Sequence, residues 1–142
     1  MSVKKFLLHN NNKKIVIRAW VYCGYFRFLI KCISMKHLEK HFGEKGKESS
    51  KLAKKEQYQK AVIVGHEVNR IADKTSWESK CLVRALAAQK ILHKSGIETT
   101  LYLGVGKDEE NQMIAHAWLR CGECYVTGGK GTEYAVVAKY KK

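Results

Sequence analysis

The sequence predicts an α+β fold in which helices come first and a small antiparallel sheet follows. Three observations predict it: apolar residues recur at helical spacing up to Lys94, the period drops to two after Gly96, and the later runs are short and separated by turn residues. The 142 residues suit one domain with a real hydrophobic core. The expected organisation is a single domain over 1–142, with an N-terminal helical region over 1–50 and a core over 51–142.

Asn10-Asn11-Asn12 offers N-capping side chains before a helix over roughly Lys13 to Ile33. Its apolar residues, among them Ile15, Val16, Trp20, Tyr25 and Phe28, run almost all the way round, as in a helix that is buried or docked on a partner. A shorter helix, Met35 to Phe42, stops at Gly43, and the Lys/Glu/Gly/Ser-rich stretch from Glu44 to Lys55 reads as a solvated or flexible linker. Gln57 to Asp73 carries Ala61, Val64, Val68 and Ile71 on one helical face. Cys81 to Lys94 is the next helix, closed by Ser95-Gly96.

Beyond it, Thr99 to Val105 and Met113 to Arg120 read as strands. A tight turn at Cys121-Gly122-Glu123 returns the chain through Tyr125-Val126-Thr127, and Tyr134 to Ala138 is the last strand.

Charge narrows the partners. Twenty-seven Lys and Arg against 13 Asp and Glu give a net +14, so an anionic peptide, protein, nucleic acid or membrane surface is attracted. The lysines are scattered, without a recognition-helix or base-stacking signature, so no nucleic-acid partner is expected, while a peripheral membrane contact stays compatible with the charge. Five cysteines and the lack of a signal-peptide pattern point to a reduced, cytoplasmic setting. Cys121-x-x-Cys124 has no second pair to complete a metal site, and no metal is expected.

The residues with chemistry are Cys81 and, 35 positions later, His116 in Ala115-His116-Ala117-Trp118. A cysteine at a helix start meets unpaired N–H groups and the positive end of the dipole, which favour thiolate. A histidine on a strand can be held beside that sulfur as its base. The alternative is bland: a buried cysteine as a small hydrophobe and a histidine satisfied in the core. Two details favour chemistry, the position of Cys81 at the helix mouth and the room that two alanines leave around His116.

Trp77-Glu78-Ser79-Lys80-Cys81-Leu82-Val83-Arg84-Ala85-Leu86, the Gly96-Ile97 helix exit, Leu103-Gly104-Val105 and Ala115-His116-Ala117-Trp118-Leu119 together resemble the transglutaminase-like cysteine peptidases of lasso peptide biosynthesis. The basic N-terminus, Ala19-Trp20-Val21 and Lys36-His37-Leu38 are similar to the free-standing form of that protein. The resemblance implies a papain-like, transglutaminase-like fold with its catalytic core over 51–142. It implies removal of a leader peptide from a ribosomally made precursor, with a separate leader-recognition protein and the lasso cyclase as partners. Nothing in the chain resembles a nucleotide site, and no cofactor is expected.

The family's triad is Cys, His and an Asp about a dozen residues after the His. Cys81 and His116 match the first two; the third position falls at Thr127-Gly128, and no Asp follows Asp108. If Cys121 to Glu123 is the hairpin turn, Gly128 or Gly129 lies across from His116. Glu123, Thr127 and Glu133 are then candidates to orient the imidazole, beside a backbone carbonyl or a water. For the oxyanion, the Cys81 N–H is one candidate donor, and the Ser76 to Ser79 approach or the Trp77 indole a second. On the first long helix, Arg18, Trp20 and Tyr25 are candidates for partner binding. A different thiol amidase or acyltransferase on the same fold, or a basic nucleic-acid-binding module, are the rival readings.

Overall fold

The computed structural model describes residues 12–74 and 81–142. Helix α1 (Lys13–Cys32) is followed by a one-turn helix α2 (Met35–Leu38), a 3-10 turn (Glu39–His41) and a two-residue strand β1 (Glu44–Lys45). Helices α3 (Lys55–Lys74) and α4 (Cys81–Lys94) then precede strands β2 (Thr100–Lys107), β3 (Met113–Cys121), β4 (Cys124–Thr127) and β5 (Ala135–Lys141). The strands form one antiparallel sheet in the order β1-β5-β2-β3-β4, so the last strand is inserted between the first and second.

The helices stack in two layers over one face of the sheet. Helices α3 and α4 cover β3 and β4, and α1 packs on α3 and α4 from the far side. Val64, Val68 and Ile71 of α3, and Leu86, Ile91 and Leu92 of α4, are buried at helical spacing and meet Leu101, Ala117 and Leu119 of the sheet in one core. Helix α4 ends where the sequence said it would. Gly96 takes a positive φ of 74°, and Ile97 N–H returns to the Leu92 carbonyl at 3.0 Å, closing the last turn.

The stretch after Gly43 corrects the flexible-linker expectation. Glu44 and Lys45 pair with Lys141 and Tyr140, Ser49 is buried, and its N–H and hydroxyl reach Thr100 Oγ1 at 2.8 and 2.7 Å. The tie comes from Arg120 on β3. Its guanidinium donates to the carbonyls of Ser49 and Ser50, to Gly122 O at 2.6 Å, to Thr100 Oγ1 and to the Tyr102 hydroxyl. A lysine-rich composition is a poor guide here, because the anchor lies seventy residues away.

Candidate active site

Cys81 is the first residue of α4 among the described residues, half-buried where the helix meets the sheet. The sheet opens at that point. Strand β4 pairs with β3 only from Leu119↔Thr127 to Cys121↔Cys124, with a register shift between Leu119 and Arg120, and then departs. No β4 residue is left to pair with Ala117, and its N–H donates to the Cys81 sulfur at 3.4 Å.

His116 precedes Ala117 on that strand, so the structure brings sulfur and imidazole to adjacent residues of one sheet edge. They form no hydrogen bond with each other in this arrangement. The His116 Nε2 instead lies 2.6 Å from the Gly128 carbonyl oxygen. A carbonyl only accepts, so Nε2 carries the hydrogen, and the lone pair of the neutral ring is left on Nδ1. The bond therefore selects the tautomer in which Nδ1 is the base.

Gly128 can hold this position because its backbone is left-handed, with φ of 78°, and because a Cβ there would lie 2.5 Å from the Ala117 carbonyl oxygen. The ring is thus held by a glycine's main chain, at Thr127-Gly128, where the resemblance implies an Asp.

The ring is also fixed by its faces. Tyr134 stacks on His116 at 4.6 Å between centroids, Trp118 lies 5.9 Å away on the same sheet face, and Tyr102 stacks on Trp118 at 5.4 Å. A side chain at Gly131 would overlap the Trp118 indole, so the turn before β5 closes onto this stack only without one. His116, Gly128, Lys130, Thr132, Glu133 and Tyr134 line a cleft of about 270 Å³ beside the imidazole.

The other sequence candidates are placed differently. Glu123 sits exposed at the β3–β4 turn, where its N–H meets the Tyr58 hydroxyl. Thr127 is buried and pairs with Leu119, and its hydroxyl has no hydrogen-bond partner. Glu133 is exposed on the rim of the cleft. Trp77 and the Ser76 to Ser79 segment lie outside the described residues. On α1, Arg18 is half-buried and Trp20 exposed, while Tyr25 lies under the Lys90 ammonium, 5.2 Å from its ring centroid. Sequence reasoning missed Tyr134 and the Ala117 N–H. The signal for the first is a tyrosine three residues beyond Gly131 in Gly128-Gly129-Lys130-Gly131-Thr132-Glu133-Tyr134; for the second there is none, because it depends on where β4 departs.

The remaining cysteines are Cys23, Cys32, Cys121 and Cys124. Burial pushes the Cys23 thiol up to about 11, and burial also raises Cys121 and Cys124, with the neighbouring Cys124 adding to the effect on Cys121. Cys32, at the end of α1, is exposed. Among the described residues no group of His, Cys, Asp and Glu could hold a metal, and no helix is long and apolar enough to cross a membrane.

No curated protein and no solved structure matches the chain. Residues 31–139 match the transglutaminase-like superfamily, which includes cysteine peptidases and transglutaminases, and the match spans α2 to most of β5, with Cys81, His116 and Gly128 inside it. The chain belongs to the transglutaminase-like superfamily.

Proposed function

We propose that the protein is a cysteine peptidase that cuts the leader from a ribosomally made lasso-peptide precursor in the cytoplasm, with a separate leader-recognition protein and the lasso cyclase as partners. The observation that carries the chemistry is the pinned imidazole. Nε2–H is committed to Gly128 O, and Nδ1 is left as base one residue from the N–H that holds the Cys81 sulfur. The lasso assignment rests on the motifs around Cys81 and His116 and on the basic, aromatic N-terminal helix.

In this mechanism His116 Nδ1 takes the Cys81 proton, and the sulfur attacks the carbonyl carbon at the leader–core junction. The Cys81 N–H stabilises the oxyanion. The oxyanion collapses, the C–N bond breaks, and the imidazolium gives its proton to the departing amine of the core. Water, deprotonated by the same ring, then hydrolyses the thioester and frees the leader carboxylate. The Gly128 carbonyl keeps Nε2–H through both halves, so the ring does not turn between them.

The test is mass spectrometry of precursor incubated with the protein and the recognition protein. Leader and core should appear together, disappear with Cys81→Ala, and survive Cys121→Ser and Cys124→Ser. Cutting that persists in Cys81→Ala would sink the nucleophile assignment. Incorporation of an added amine without free leader acid would move the protein to the acyltransferase reading, which shares the thioester.

A further inference from the structure

Helix α1 has two apolar sides, and among the described residues only one of them is packed into the core. Val16, Ala19, Cys23 and Phe26 are buried against α3 and α4. Ile17, Val21 and Phe28 lie on the opposite side, 49%, 57% and 63% exposed, and recur at four and seven residues, which puts them in one stripe. Met35 of α2, just beyond the helix end, is 58% exposed as well. Side chains of this size lined up in water on one element mark a contact surface rather than scattered exposure.

The charge beside the stripe is of one sign. From Asn12 to Leu38 there are six Lys and Arg and no acidic residue, and the first acid of the chain, Glu39, is engaged by Lys45 and Tyr140. Lys13 and Lys14 stand at one end of the stripe, with Lys60 of α3 lining the same depression. Lys31 and Lys36 stand exposed at the other end, and Lys13 to Lys31 spans about 27 Å along the axis. A basic helix with an exposed apolar stripe parallel to its axis fits the boundary between acyl chains and anionic headgroups.

We propose that this face of α1 seats the protein on an anionic lipid surface, with Ile17, Val21 and Phe28 entering the acyl boundary and the flanking lysines meeting lipid phosphates. The stripe is the convex side of a single helix and offers no groove for a partner's side chains. That favours a fluid surface over a folded protein. Helices α3 and α4 separate α1 from the sheet, so the cleft at His116 stays clear of the bilayer. The inference goes beyond the proposed peptidase reading and does not depend on it.

The experiment is co-sedimentation of the full chain with phosphatidylcholine vesicles made with and without phosphatidylglycerol, at low and at raised salt. Binding should require phosphatidylglycerol and weaken with salt. The triple substitution Ile17→Ser, Val21→Ser, Phe28→Ser, which keeps every charge, should cut partition at least about tenfold, and Lys13→Gln, Lys14→Gln, Lys31→Gln, Lys36→Gln should do the same. Circular dichroism of both variants checks that α1 persists; should the serine variant unfold, the lysine variant and the salt series decide. No binding, equal binding to both vesicle types, or unchanged partition in the lysine variant would overturn the proposal. So would a loss of self-association or of recognition-protein capture in the serine variant with vesicle binding unchanged.

Discussion

His116 and Arg120 stand four residues apart on the same face of β3, and they are held in opposite ways. Arg120 is 5% exposed, and all five of its N–H groups have an acceptor. His116 is half-exposed and has one carbonyl, with aromatic rings on its faces. Between them, Trp118 stacks toward Tyr102, the phenol that Arg120 holds, and toward His116. The contrast teaches how the strand divides its work. The saturated end fixes register and refuses movement, and the end that β4 abandons holds its ring by one nitrogen, as the proposed base requires.

Crossing the two positions gives the largest effects. On the proposed mechanism His116→Ala removes base and acid together, so turnover should fall by about 10²–10⁴-fold or more while urea unfolding hardly changes. Arg120→Ala leaves buried carbonyls and a hydroxyl without their donor, and stability should drop by roughly 3–5 kcal/mol in the same urea titration. Arg120→Lys should rescue little of it, since three donors on a flexible stem cannot serve five acceptors. A stability loss under about 1 kcal/mol for Arg120→Ala would mean that the anchor is ornamental and the contrast false.

How far the sequence spoke follows the same divide. Helices α3 and α4 were legible because their apolar period and their ends are local, and α1 because its apolar run is long. Lys94-Ser95-Gly96 closes α4 by chemistry within four residues. Cys81 and His116 could be singled out as candidates because helix mouth and strand are local too. The burial of Arg120 was not, because a cation enters a core only when acceptors from Ser49 to Gly122 converge on it, and that is a property of the packed chain. The holder of His116 is an intermediate case. Counting along the hairpin put Gly128 or Gly129 opposite the ring, but whether a carboxylate, a hydroxyl, a water or the main chain held it depends on where the loop turns after Thr127.

The open end can be sharpened by changing the holder. Gly128→Ala puts a side chain on a left-handed residue and against the Ala117 carbonyl, so the 128 carbonyl must move off Nε2. Turnover should fall about tenfold or more with little change in KM, because the ring loses the partner that holds it. Glu133→Gln, on the rim of the same cleft, should cost less than about threefold. Equal losses in the two variants would make Glu133 the partner of the imidazole.

The smallest effect probes the saturated end through Glu48. The Tyr102 hydroxyl, held by Arg120 on one side, donates to the Glu48 carboxylate on the other. That hydrogen bond is the main reason the Glu48 carboxyl sits below its ordinary 4.5, with burial opposing it and Lys139 and Arg120 helping. A folded value below the unfolded one means that the unfolded chain binds the proton first. The contribution is therefore complete above about 4.5 and disappears as pH falls through the folded value. Glu48→Gln keeps an acceptor for Tyr102 but cannot ionise. Its melting temperature should lie slightly below that of the unsubstituted protein near neutral pH, and the gap should close on acidification. Glu39 and Glu44 are lowered as well, but they are present in both proteins and cancel in the difference. A gap that stays constant with pH would show that Glu48 supports Tyr102 by shape alone, and the charge would drop out of the description of that end of the strand.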